Sequence, residues 1–242
     1  SPETTRAGLF LDLSPLTNGD PNLNPNDFYP AVWQSFQWDG GVWAIPFTTS
    51  VTLLTYDTAK FDQAGLAYPS PQWTLDDLAN AARTLAQRNA DGTIAIPGVM
   101  ISSGDLATIF RGLLMQGYYD LNSLPNNPQL DTPELQALMT TWQTLVDEGV
   151  ATTTLDDTLE EVPIRVEGGI GGIRINIGGG PGQEDTSRTA LLPGGTAAIA
   201  PSGFAVSAGT LYPELSYALA TYLSNQPTLA TSFLGVAPAR QS

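Results

Sequence analysis

Carboxylates occur in adjacent pairs at Asp76/Asp77, Asp156/Asp157 and Glu160/Glu161. Two carboxylates facing one cleft are what glycoside hydrolysis requires. Asp76 and Asp77 have a simpler reading, because they follow Thr74 into a helix whose positive N-terminal end favours acidic side chains. The other two pairs lie in a polar connection and read as solvated. A second candidate for chemistry is the run Gly168 to Gly180, GGIGGIRINIGGG. No Gly-Lys-Ser/Thr follows it, so it is not a P-loop, and the dinucleotide spacing from Gly169 meets Arg174 where a third glycine belongs. It reads instead as a glycine-flanked strand, Ile173 to Ile177, whose end comes close to another group. Asn89-Ala-Asp-Gly92 resembles the middle of a calcium loop, but Gln87 and Gly98 stand where the first and last carboxylates should be. It reads as a turn after a helix.

Several chemistries are excluded outright. The chain has no cysteine and no histidine. That removes thiolate and Ser-His-Asp catalysis and nearly every zinc or copper site, and no cofactor or metal is expected. The aromatic residues point elsewhere. Trp33, Phe36, Trp38 and Trp43 crowd one segment, and Tyr118 and Tyr119 follow a helix. Aromatic faces stack on the apolar faces of sugar rings, while hydroxyls and amides take the sugar hydroxyls.

These residues must be carried by alternating strands and helices. Strands are expected at Val42 to Pro46 and Val51 to Tyr56, with Thr48-Thr49-Ser50 as a polar break, then at 93–99, within 162–177, and at Ile199 to Ser207. Helices are expected after Thr74, over Asp105 to Gln116, after Thr132-Pro133, and over Pro213 to Ser224, with a short one to Leu234. Their apolar stripes include Leu75, Leu78, Ala82 and Leu85 in the first, and Leu135, Leu138, Met139, Trp142, Leu145 and Val146 in the third. Leu215, Leu219, Tyr222 and Leu223 make the stripe of the fourth. Alternation of this kind argues for an α/β fold. The length of 242 residues suits one large domain or two modest ones. Net charge is −15, from 24 acidic and 9 basic residues. Such a chain repels phosphate backbones and anionic lipid, so no nucleic-acid partner is expected. No run of about 18 apolar residues is present to cross a membrane as a helix. The chain opens at Ser1 without a methionine, which reads as a processed or trimmed product.

At residues 41 to 78 the order of features becomes specific. Gly41-x-Trp43-Ala-Ile-Pro46 is followed by a strand to Tyr56-Asp57, then Lys60-Phe61, Ala64-Gly65-Leu66, Pro69, Pro71 and Trp73-Thr74-x-Asp76-x-Leu78. This order resembles the family 1 extracellular solute-binding proteins, the maltodextrin-binding-protein-like sugar receptors of bacterial ABC importers. Gly8-Leu-Phe-Leu-Asp-Leu-Ser-Pro15, Asp131-Thr-Pro-Glu134, Ser202-Gly-Phe204, Tyr212-Pro-Glu214 and Gly235-Val-Ala-Pro-Ala-Arg240 continue the likeness in the family's order. Three things depart from it: the βα units that open the first lobe and the residues beyond the Pro-Ala-Arg segment have no counterpart, and Pro163 to Ile173 replaces the family's Phe-x-x-Gly-x-Ala-Ala-Met strand.

The resemblance implies a type II periplasmic-binding-protein fold, with two lobes joined by crossing strands and the first lobe incomplete. Residues 1–47 and 203–242 would form the partial first lobe, and 48–202 the second. It implies a non-catalytic receptor for a sugar or oligosaccharide, extracellular or periplasmic and membrane-tethered in full, that delivers its ligand to an ABC permease. By position, Thr48, Thr49 and Ser50 would lie at one crossing. Ser103 and Asp105 would offer a hydroxyl and a carboxylate at a helix start, and Gly179, Gly180, Ser202 and Phe204 would line the cleft from the other crossing. Two alternatives stay open: a carbohydrate-active enzyme using a carboxylate pair, and a structural or interaction module of a larger chain. An incomplete lobe should also expose apolar surface and sheet edge, so either self-association or an edge covered by local segments is expected.

Overall fold

The structure, a computed structural model, describes residues 2–114, 118–120, 127–153, 161–169, 186–233 and 237–241. In chain order, α1 (Pro2–Arg6), α2 (Ser14–Gly19) and α3 (Pro30–Gln34) lead to the short strands β1 (Gln37–Trp38) and β2 (Gly41–Val42). The long strand β3 (Ile45–Asp57) follows, then α4 (Thr58–Ala64) and α5 (Leu75–Leu85). Next come β4 (Gln87–Arg88), β5 (Ile94–Ile96), β6 (Val99–Ile101), α6 (Ser103–Leu114), β7 (Tyr119–Asp120) and β8 (Asn127–Pro128). The chain closes with α7 (Pro133–Asp147), β9 (Ala151–Thr152), β10 (Ile164–Gly169), β11 (Ser187–Ala190), β12 (Ala198–Phe204), α8 (Pro213–Ser224), a π turn (Leu229–Phe233) and β13 (Ala237–Pro238).

Two compact units result. One is built mainly from Ser1–Val51 and Ile199–Ser242, the other mainly from Thr52–Gly168 and the segment ending at Ala198. Strand β3 serves both, with Ile45–Val51 in the first and Thr52–Asp57 in the second.

The main sheet has seven strands: β11-β3-β10-β6-β9 in that order, with β12 and β13 also paired to β3. β10 and β9 run parallel to β6, with Ile164 and Ala151 both opposite Val99, and β11 lies antiparallel on β3. Parallel neighbours need crossover helices, which α6 and α7 supply. Helix α5 starts at a capping box. Thr74 accepts from the Asp77 N–H, and the Asp77 carboxylate accepts from the Thr74 N–H and hydroxyl. Leu75, Leu78, Ala82 and Leu85 are buried as expected, against Phe61, Ile101, Ile109, Trp142 and Leu145. Helix α7 is capped by Thr132, with Pro133 in its first turn. Its stripe is narrower than the sequence suggested: Leu135, Trp142 and Leu145 are buried, while Met139 and Val146 face solvent.

In the first unit, Asp39 and Gly40 both have positive φ in the turn between β1 and β2, as a two-residue hairpin demands. Leu13, Phe28, Val32, Ile45, Val206, Tyr217 and Ala220 form the core.

Two expectations about strands are corrected. Thr48-Thr49-Ser50 is no break, because β3 runs through it for 13 residues. Thr48 and Thr49 are β-branched, suit an extended backbone, and pair with Pro238 and Ala237 of β13. Conversely, 93–99 is not one buried strand. It divides into β5, which is not buried, and the fully buried β6. Pro97 has no ladder donor. At Gly98 the chain runs so close to α5 that a Cβ would stand 1.9 Å from the Ala82 carbonyl oxygen.

Candidate solute-binding determinants

In the first unit, the Gly8–Pro15 segment is fixed by one carboxylate. Asp12 Oδ1 accepts from the Ser14 N–H at 2.9 Å, the Ser14 hydroxyl at 2.7 Å and the Val42 N–H at 3.2 Å. Burial alone would raise the pKa of Asp12, but these three donors more than offset it and hold the carboxyl below its usual range. The same oxygen explains Gly41, where a Cβ would lie 3.1 Å from it and 2.8 Å from the Trp43 ring.

The aromatic cluster serves largely as structure. Trp38 stacks on Trp43 with ring centres 6.1 Å apart, and their indole N–H groups donate to Thr5 Oγ1 and to the Trp38 carbonyl. Phe28 stacks on Trp33, and Phe204 packs on Phe47 at 4.9 Å.

The expected ligand residues fall into different environments. Thr48 and Thr49 are buried inside the β13–β3 ladder. Ser50 is half-buried, Phe204 is half-buried, and Ser202 is exposed. In the second unit, Ser103 is exposed in the first turn of α6. Asp105 takes a hydrogen bond from the Ser102 hydroxyl at 2.7 Å through Oδ2, while its own N–H donates to Ser102 Oγ at 3.2 Å. This reciprocal pair makes Asp105 part of a helix cap. Its other oxygen has no hydrogen bond among the described residues. Gly179 and Gly180 lie outside the described residues, as do Asp156, Asp157 and Glu160.

A site that the sequence reading missed lies within the first unit. An open cavity of about 600 Å³ is lined by Asp20, Asn24, Asp27, Tyr217, Asn225 and Arg240, among others. Tyr217 donates to Asp20 Oδ2 at 2.9 Å. Burial first, and then that hydrogen bond and the neighbouring charge, push the phenol far above its ordinary range, so it remains a donor. Arg240 pairs with Asp27 at 2.8 Å and lies over the Phe28 ring at 4.4 Å. Each cavity carboxylate is thus committed to a fixed donor. Nothing local in Asn18–Asp27 announces Arg240, which comes from the far end of the chain. Among the described residues no group of three or more acidic side chains is arranged to hold a metal ion.

Comparison with known proteins decides the family. Residues 3–242 match the family described as bacterial extracellular solute-binding protein. The chain belongs to that family. No curated protein matches this solute-binding protein by sequence. Solved structures share its fold. The sugar-binding protein MalE from Xanthomonas citri superposes with a TM-score of 0.73 at 17% identity, over 99% of this chain and 63% of that one. UgpB from Mycobacterium tuberculosis in complex with glycerophosphocholine gives 0.71 at 19% identity, over 99% and 64%. The ABC substrate-binding protein from Listeria monocytogenes in complex with cycloalternan gives 0.66 at 17% identity, over 99% and 63%. This solute-binding protein therefore spans slightly less than two thirds of the length of these relatives. No helix among its described residues is long and apolar enough to cross a membrane.

Proposed function

We propose that the chain is a solute-recognition component of an ABC importer and holds a carbohydrate without changing it chemically. The family match over residues 3–242 carries this reading. The folds that superpose on it support the choice of ligand: one is of a sugar-binding protein and another holds cycloalternan. Transfer of ligand to a membrane permease, and tethering on the outer side of a membrane, belong to the same proposal.

The groups available suit a polyhydroxylated ligand. Ser50, Ser202 and Ser103 have hydroxyls, Phe204 has a ring face, and Asp105 has one carboxylate oxygen beyond its cap. Thr48 and Thr49, held in a ladder, would set the position of Ser50, and Gly179 and Gly180 remain candidates by their place in the sequence.

The test is titration calorimetry against a panel of mono- and oligosaccharides, with the recovered sugars analysed for cleavage. Binding without cleavage is expected. The variant D105A should weaken binding about tenfold or more, the usual loss for a charged hydrogen-bond partner. Cleavage of an oligosaccharide would sink the receptor reading, and so would absence of sugar binding by the longest protein encoded around this chain. Unchanged affinity in D105A would leave Asp105 as a helix cap only.

A further inference from the structure

Only one asparagine of the chain precedes a glycine, in the pair Asn18-Gly19. Such a pair is open to a reaction that needs no enzyme or cofactor. The Gly19 nitrogen can attack the Asn18 side-chain carbonyl carbon and close a five-membered imide. A Cβ on the following residue obstructs that attack, and a following proline has no N–H to give up. Asn24 and Asn127 precede proline, and the remaining asparagines precede residues with a Cβ. Asp39 and Asp91 also precede glycine. A carboxylate is a poor target for a nucleophile, and both are held ionised. Asp39 accepts from Arg6 Nε at 2.7 Å and Nη2 at 3.1 Å. Asp91 Oδ1 accepts from the Thr93 hydroxyl at 2.6 Å and the Thr93 N–H at 3.0 Å. These donors lower both carboxyls below their ordinary range. The Asn18 carboxamide, by contrast, is uncharged, exposed and without a hydrogen bond among the described residues.

Helical backbone at Asn18 holds the Gly19 nitrogen out of line with the side-chain carbon, so the last turn of α2 must open before the ring can close. Little holds that turn shut. Helix α2 has six residues, and no side chain caps its N-terminus. At its other end the Asp20 N–H reaches the Thr17 carbonyl at 3.4 Å, longer than the usual range for such a bond. Thr17 is buried, but Asn18 and Gly19 are both exposed, and a Cβ built on Gly19 would meet nothing within 4 Å. A helix end tied so loosely opens at low cost.

We propose that Asn18 is a site of spontaneous modification, converted to aspartate and isoaspartate whenever the last turn of α2 opens. A bond forms between the Gly19 nitrogen and Asn18 Cγ, the Cγ–Nδ2 bond breaks, and the side-chain nitrogen leaves as ammonia with the proton from Gly19. Water then opens the imide at one of its two carbonyls. Attack at Cγ restores the ordinary backbone with an aspartate at position 18. Attack at the main-chain carbonyl leaves the chain running through Cγ, one methylene longer. Both products bear on the cavity that Asp20 lines. Either one adds a carboxylate at the carbonyl end of α2, where negative charge is unfavourable, two residues from Asp20. The extra methylene also shifts Asp20, whose Oδ1 accepts from the Asn22 N–H at 2.8 Å and whose Oδ2 accepts from the Tyr217 hydroxyl at 2.9 Å.

Incubation of the folded 242-residue chain in mildly alkaline buffer tests this. Trypsin then releases residues 7–60 as one peptide, because no Lys or Arg lies between Arg6 and Lys60. Fragmentation of that peptide should place aspartate and isoaspartate at position 18 before any other asparagine changes, in an amount equal to the ammonia released. Gly19→Ala sets a methyl group in open space, so the far-ultraviolet spectrum should be unchanged while the rate falls at least about tenfold. The isoaspartate form, separated by ion exchange, should exchange its Asn22 amide proton faster than the unmodified chain. Asn18 left intact in the folded chain would overturn the proposal, whatever happens to the urea-unfolded chain. Equal rates in wild type and G19A would overturn it too, as would earlier loss of ammonia from another residue. An unchanged Asn22 exchange rate would overturn the link to Asp20.

Discussion

Replacing Gly98 by alanine should test the tightest contact in the second unit. The added Cβ would stand 1.9 Å from the Ala82 carbonyl oxygen, 2.6 Å from its carbon and 2.7 Å from the Ala82 Cα. All three are backbone atoms of α5, so no side chain can rotate aside. Relief to ordinary contact needs a separation about 1.5 Å greater. Neither side moves easily. The Gly98 N–H donates to the Val150 carbonyl at 2.9 Å, its carbonyl accepts from Ile164 at 3.2 Å, and α5 is anchored by buried Leu78, Ala81 and Leu85. Overpacking of this kind costs up to about 3 kcal/mol, and the lower chain entropy of alanine in the unfolded state offsets only about 0.5 to 1 of it. A net loss of about 2 kcal/mol is expected, which lowers the melting temperature by roughly 4 to 8 °C for a chain of this size. Urea unfolding followed by tryptophan fluorescence would measure it, with Trp73 and Trp142 reporting on this unit. Gly92→Ala is the control, because its φ is +87° but nothing lies within 4 Å of the added Cβ. If G98A is no more destabilising than G92A, α5 does not approach the sheet as described.

Thr74→Ala removes the capping hydroxyl of α5 and should cost about 1 kcal/mol in urea unfolding, with little further loss when Asp77→Ala is added, because the two act as one cap. Asp12→Ala should loosen the Gly8–Pro15 segment from Val42, seen as faster amide exchange at Ser14 and Val42. Asp12 is held below its ordinary range in the folded state, so its stabilising effect is present above its unfolded value of about 3.9 and fades as pH falls through the lower folded value. The stability gap between wild type and D12A should accordingly narrow on acidification from about pH 5 to about pH 2, and a constant gap would show that Asp12 acts through packing alone.

What could be read from sequence were the features with a local cause. Thr74, Thr132-Pro133 and Pro213 marked the starts of α5, α7 and α8 because capping hydroxyls and first-turn prolines act within a few residues. The continuity of β3 was hidden because hydroxyl side chains at 48–50 read as polar, whereas the β-branched shape of Thr48 and Thr49 and their pairing with the distant strand β13 keep the backbone extended. The split at Pro97-Gly98 depends on Ala82, which lies one helix away. For α8 the periodicity gave the helix but not its inside. An apolar stripe says that something will be buried, and here the core took the opposite face. Of the candidate site, the resemblance supplied positions in the chain. It could not show that Asp105 doubles as a cap, nor that Arg240 joins Asp27 and Tyr217 around one cavity.

The far end of the chain makes the first unit's last bonds. Arg240 reaches Asp27, and the Gln241 side chain reaches the Phe28 carbonyl, each across 213 residues of sequence, while the Gln241 N–H donates to the Asp27 carbonyl. Residues 2–51 therefore cannot complete their unit until Arg240 and Gln241 have left the ribosome. The second unit, drawn from residues that end at Ala198, has all its partners sooner. Synthesis at about 5 to 20 residues per second would leave the opening segment, with its buried Leu13, Phe28 and Val32, unpartnered for roughly ten seconds or more. The order of folding is thus the reverse of the order of synthesis for these two units, and residues 2–51 wait longest for their partners.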